Sequence, residues 1–203
     1  MIKTKPSRTP IMVTLIAGAA LANTADAGTV ELMAGNGSTT LDIQMPGKLA
    51  EKIGYFSRTR FTKDYDGDVS AFGAVDLTYS IGSNVDLLLE TQFAQGLGVV
   101  PRPGVQYIKT SGDLTVVGLL TGSHNLDLEP HLVVRYDREL NERFGLMGQV
   151  ELLTNFGIDG HNFSLQRLRA GASHDGYTLG VASDFIESEN FGYNVGGFLE
   201  KGF

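Results

Sequence analysis

Tyr193-Asn194-Val195-Gly196-Gly197-Phe198-Leu199-Glu200-Lys201-Gly202-Phe203 reads as a β-strand running to the last residue. Tyr193, Val195, Gly197 and Leu199 share one parity, and Asn194, Gly196 and Glu200 the other. Successive side chains on a strand point to opposite faces, so the segment carries one apolar and one polar face. Tyr193 and Phe203 place an aromatic at each end of the apolar face. The rest of the chain decides whether that face meets a protein core or lipid.

Working back from this strand, no helical stripe of useful length appears after Ala50. Period-two runs recur instead, broken by Gly, Asn, Asp and Ser clusters at intervals of about 8–15 residues, the pattern of an all-β barrel or sandwich. Ten strands are expected, near 52–63, 69–81, 84–95, 103–110, 113–121, 128–137, 143–154, 162–172, 176–185 and 192–203. One parity gathers apolar residues such as Val75, Leu77, Leu87, Leu89, Leu132, Val134, Leu146, Val150, Leu179 and Val181. The other gathers Arg58, Arg60, Asp76, Asp86, Glu90, Arg135, Asp137, Glu151, Arg167, Arg169, Asp184 and Glu200. Strand 113–121 departs from this pattern, because Thr115 to Leu120 is apolar on both parities.

Lys3, Lys5 and Arg8 precede an apolar run from Ile11 to Ala22, followed by Ala25-Asp26-Ala27. A basic start, a short apolar run and an A-x-A site are the anatomy of a secretory signal peptide, and the run is too short to span a bilayer as a helix. Residues 1–27 are therefore expected to be a signal peptide. Residues 28–51 are expected as a periplasmic segment or a piece tucked into the barrel end. In it, Thr40 to Met45 forms a short strand stopped by Pro46-Gly47; an extra edge strand is the alternative. Residues 52–203 are expected to form the barrel.

The formal charge of −7 excludes the basic stripe that nucleic-acid binding requires. With no cysteine, the chain forms neither disulfides nor thiolate metal sites. The connections sort by length in this reading. Gly82-Ser83, Ser111-Gly112, Glu139 to Glu142 and Ser173 to Asp175 are short. Asp64 to Asp68, Gly96 to Arg102, Gly122 to Asp127, Asn155 to His161 and Ile186 to Phe191 are mostly longer. Short periplasmic turns alternating with longer outer loops belong to transmembrane barrels.

A final strand ending in Phe203, an export signal and alternating turns together resemble the small Gram-negative outer-membrane β-barrels as a class. The resemblance implies an antiparallel up-and-down transmembrane barrel of about ten strands in the outer membrane. It implies Phe203 as the signal read by the barrel-assembly machinery, and membrane lipid as the partner of the apolar face. Lys109 and Lys201 break that face only near the periplasmic ends of their strands, where a long side chain can snorkel. Tyr79, Tyr107, Tyr136 and Tyr177 lie where an aromatic girdle would sit.

On this reading Arg58, Arg60, Asp76, Glu90, Arg135, Glu151, Arg167, Arg169 and Glu200 form a lumen charge network. Glu151 is expected between Arg135 and Arg167 or Arg169, and Arg58 and Arg60 opposite Asp76 and Glu200 across the closure. Such a network either plugs the lumen or lines a narrow path for water or ions. The expected function is a non-enzymatic outer-membrane protein, either structural and surface-interacting or a narrow porin for small solutes. A barrel hydrolase with a His site at the rim is one alternative, and a soluble secreted barrel binding an apolar ligand is another. His161 lies three residues before Ser164, hence on the opposite parity, which argues against that pair as base and nucleophile. Asp64-Tyr65-Asp66-Gly67-Asp68 has its glycine at the fourth position and Val75 at the twelfth, so it is a turn and not an EF-hand loop. No cofactor or metal is expected.

Overall fold

The computed structural model describes residues 28–94, 98–188 and 191–203. The segment read as a signal peptide lies outside the described residues. Twelve antiparallel strands follow in chain order: β1 (Thr29–Gly35), β2 (Ser38–Ala50), β3 (Ile53–Asp64), β4 (Val69–Ser80), β5 (Val85–Ala94), β6 (Gly98–Ser111), β7 (Leu114–Gly122), β8 (Leu128–Glu139), β9 (Phe144–Gly157), β10 (Gly160–His174), β11 (Tyr177–Glu187) and β12 (Phe191–Gly202). Each pairs with its sequence neighbours, and β1 pairs with β12 from Thr29↔Gly202 to Gly35↔Gly196, closing the barrel. Both ends of the described chain meet there, where the Phe203 amide donates to the Gly28 carbonyl at 3.0 Å.

The count corrects the expectation of about ten strands. The two added strands come from residues 28–51, so β12 closes on β1 and not on the strand starting near residue 52. Pro46-Gly47 does not stop β2, which runs on to Ala50. Because β1 begins opposite Gln44, one side of β2 beyond that point has no partner strand, and proline is tolerated on such an edge. The same argument explains Pro101 and Pro103 in β6, since pairing with β7 reaches only Gly104↔Thr121.

The expected alternation of turn lengths is also corrected. The β9–β10 connection is only Ile158 and Asp159, and the turns at the two ends of the barrel differ little in length. At the end away from the termini, some strands carry polar residues on both faces while backbone pairing continues, as in Ser38-Thr39-Thr40 on β2 and Thr62-Lys63-Asp64 on β3. Period-two patterning fades there before the strands end.

Burial is inverted relative to a soluble barrel. Leu77, Leu87, Leu89, Leu132, Val150, Leu179 and Val181 are exposed on the outside. Glu31, Asp42, Glu90, Arg102, Glu151, Arg167, Arg169 and Asp184 are buried inside. Tyr79, Tyr107, Tyr136 and Tyr177 are exposed near the end that carries the termini, and Phe93, Phe156, Phe191 and Tyr193 near the other. Lys201 reaches the terminal end, with its ammonium 4.1 Å from the centre of the Tyr177 ring. Leu, Val and Ile thus form an outer band between two aromatic girdles, the pattern of a barrel that meets lipid.

Candidate functional site

Alternation places the interior side chains, and cross-strand register brings their charges together. Arg58 (β3) donates through Nη1 to Glu151 Oε1 (β9) at 2.6 Å and through Nη2 to Asp42 Oδ2 (β2) at 2.7 Å. Arg167 (β10) bonds Glu151 at 2.8 Å and Glu31 (β1) at 2.9 Å, and lies 3.1 Å from Asp42. Arg169 holds both Glu31 oxygens at 2.9 Å and reaches Asp184 (β11) at 2.7 Å, while Arg60 also bonds Asp184. Four arginines meet four carboxylates, so the cluster carries no net charge. That balance, with several hydrogen bonds per group, makes burial of the charges tolerable. His131 (β8) adds a bond to Glu151 at 3.1 Å.

The Arg58–Glu151 pair spans from β3 to β9 and divides the lumen. Behind it, Met33, Met147, Ala182 and Phe198 pack together, with the Arg169 guanidinium 6.0 Å from the Phe198 ring. The sector from β9 through β12 to β1 is therefore filled. The opposite side holds a cavity of about 1110 Å³, lined chiefly by β2 to β9. Its lining runs from Glu51, Lys52 and Asp86 near the terminal end to Gly37, Asp64 and Ser70 near the other. Eight strands leave room only for side chains, and sixteen or more leave an aqueous channel. Twelve strands, partly filled by a charged plug, fall between.

The expected charge network faces the interior, but two of its pairings are different. Glu151 is held by Arg58, Arg167 and His131, not by Arg135. Arg135 bonds Glu200 at 2.8 Å and Asp137 at 2.7 Å, since its register partner on β9 is Gln149. Asp76 has no ion pair with Arg58 or Arg60. The two extra strands bring Asp42 beside Arg58 instead. Glu31 and Asp42 escaped the sequence reading because residues 28–51 were not given strand parity. Arg102 and Glu129 escaped because they fell in or beside expected loops. Alternation along Thr40-Leu41-Asp42-Ile43 was the available signal for the first pair.

His161 and Ser164 are a further correction. Their side chains meet at 2.8 Å, because a β-bulge between His161 and Phe163 shifts the alternation by one residue. The pair lies on the outer surface near the rim, and Ser164 Oγ also bonds Thr154 Oγ1 at 3.1 Å. Among the described residues, no carboxylate or amide bonds the second His161 nitrogen, so the orienting member of a triad is missing. His174 stacks on Phe144 at 4.5 Å beside a turn. Among the described residues, no three His, Asp or Glu side chains are grouped to hold a metal ion.

No protein-family model matches the sequence, and no curated protein matches it. Solved structures do resemble it. The KdgM porin superposes with a TM-score of 0.53 at 9% identity, covering 87% of this chain and 99% of that one. The same values hold for the KdgM porin in complex with disordered oligogalacturonate. LpxR from Salmonella typhimurium follows with a TM-score of 0.49 at 7% identity, covering 87% of this chain and all of the other. At such identities the likeness to the KdgM porin is one of fold: this chain is a closed antiparallel barrel of the kind that porin uses.

Proposed function

We propose that this chain is an integral outer-membrane barrel that passes small solutes along a narrow, off-centre path beside a charged plug. The observation that carries the reading is the cavity of about 1110 Å³ whose lining reaches residues at both ends of the barrel. The apolar outer band between two aromatic girdles supports a place in lipid. The basic and apolar start of the sequence supports export, and the Phe203 strand supports recognition by the barrel-assembly machinery. On this reading the termini and the turns beside them face the periplasm, and the β3–β4 and β7–β8 connections face outward.

The KdgM porin was solved with an acidic sugar chain. Here all six interior arginines named above lie against carboxylates, so among the described residues the middle of the path offers an anionic solute no unpaired guanidinium, and Lys48 and Lys52 line the cavity only near its terminal end. The selectivity follows from the carboxylates left over. Purified protein in a planar lipid bilayer should give discrete conductance steps smaller than those of wide trimeric porins. A folded barrel that inserts but never conducts would leave only the structural role and end the porin reading.

A further inference from the structure

Asp76 on β4 and Glu90 on β5 are register partners, and both face the interior and line the cavity. Like charges directly opposite each other on a sheet repel, and confinement in a narrow lumen strengthens the effect. Asp76 is 5% exposed, and its Oδ1 is buried without a hydrogen-bond partner. No lysine or arginine among the described residues pairs with it. A buried carboxylate oxygen without a donor is costly, so the pair asks for a cation from outside the chain.

The surrounding groups do not meet that need. Arg102 stands 3.5 Å from Glu90 and 3.5 Å from Glu129, and its Nε donates to Thr121 Oγ1 at 3.2 Å. The Gln92 amide donates to Glu90 at 2.9 Å and to Glu129 at 2.8 Å, and Asn155 donates to Glu129 at 2.9 Å. Glu90 and Glu129 thus share one arginine and Asp76 has none, unlike the neutral cluster across the lumen. The same cavity is lined by Ile108, Val117, Leu119 and Val133, an apolar wall on β6 to β8. Carboxylates beside an apolar wall suit a cationic head that donates hydrogen bonds and carries an apolar body.

We propose that Asp76 and Glu90 form a binding station for the ammonium or guanidinium-type head of a small organic cation moving through the lumen. This deepens the porin reading and rests on it for the movement, though not for the binding. The probe is benzamidine, with neutral benzamide and anionic benzoate as controls, added to the full barrel folded in detergent. Benzamidine should raise the unfolding midpoint while the controls leave it in place, and Asp76→Asn or Glu90→Gln should remove most of the shift. Asp76→Asn conserves shape and removes one of two repelling charges, so it should fold; Glu90→Gln provides the second variant. In a bilayer under a KCl gradient, the parent should prefer cations several-fold. Each variant should lower that preference, and benzamidine should reduce the parent's conductance.

Equal shifts from benzamidine and benzamide, or a benzamidine shift untouched by both variants, would overturn the station. A barrel that conducts without any benzamidine effect keeps the porin reading and loses the station. A barrel that never conducts but shows an Asp76-dependent shift loses the porin reading and keeps the station.

Discussion

Glu151 concentrates the energetics of the interior in one residue. Its carboxylate accepts from Arg58 at 2.6 Å, from Arg167 at 2.8 Å and lies 3.1 Å from His131. Removing it takes one carboxylate from two guanidiniums that keep Asp42 and Glu31, and leaves the cluster with an excess positive charge. Breaking a buried ion pair from one side costs about 3–5 kcal/mol, less where other partners remain or water enters. Glu151→Ala should therefore unfold at a lower temperature in detergent. Because Arg58–Glu151 bounds the open sector, the variant should also conduct more and shift toward anions. Unchanged melting and conductance would mean that this pair bounds nothing. The interior position of Glu151 is legible from strand parity, and its partners only in part. Arg167 is its register neighbour and was anticipated, but Arg58 reaches it across the lumen, and no local pattern encodes such a distance.

Among the elements, β1 and β2 depend most on the rest of the barrel. β1 has seven residues, and the turn after it is held from outside the hairpin. Asn194 on β12 accepts from the Gly37 amide at 3.0 Å and the Ser38 amide at 3.2 Å. Gly35 has no Cβ, and one built there would collide with the Asn194 side chain, so the glycine makes room for this cap. Asn194→Ala should cost about 1–3 kcal/mol by leaving backbone donors without an acceptor, read as a lower unfolding midpoint. Along the same seam, a Cβ on Gly196 would strike the Ala34 carbonyl. Gly196→Val should reduce the share of protein that runs as a compact, heat-modifiable species on unboiled gels. This dependence is why the hairpin was not legible as strands. Its turn takes its bonds from a strand more than 150 residues away, and Pro46 reads locally as a stop. By contrast, the Asp175-Gly176 turn has positive φ at both residues as a tight two-residue hairpin requires, and the expected connection at Ser173 to Asp175 lies within two residues of it.

At the scale of the whole molecule, two faces and one open sector define the protein. The charge alternation that separates the faces was legible along most strands, because an arginine facing lipid costs roughly 2–4 kcal/mol at mid-bilayer. It was not legible in β7, where Val116 and Val117 are chemically identical neighbours. The structure resolves them: Val117 lines the cavity, and Val116 takes the opposite parity. β7 is apolar on both faces because it supplies the lumen's apolar wall as well as a lipid-facing surface. The absence of cysteine makes a direct test clean. Val116→Cys and Val117→Cys, each in proteoliposomes, are exposed to a charged, water-soluble thiol reagent, and the rates of modification are compared. A membrane barrel with a wet, off-centre path requires Val117→Cys to react readily and Val116→Cys to stay protected by lipid. The reverse order, or equal protection of both, would contradict it.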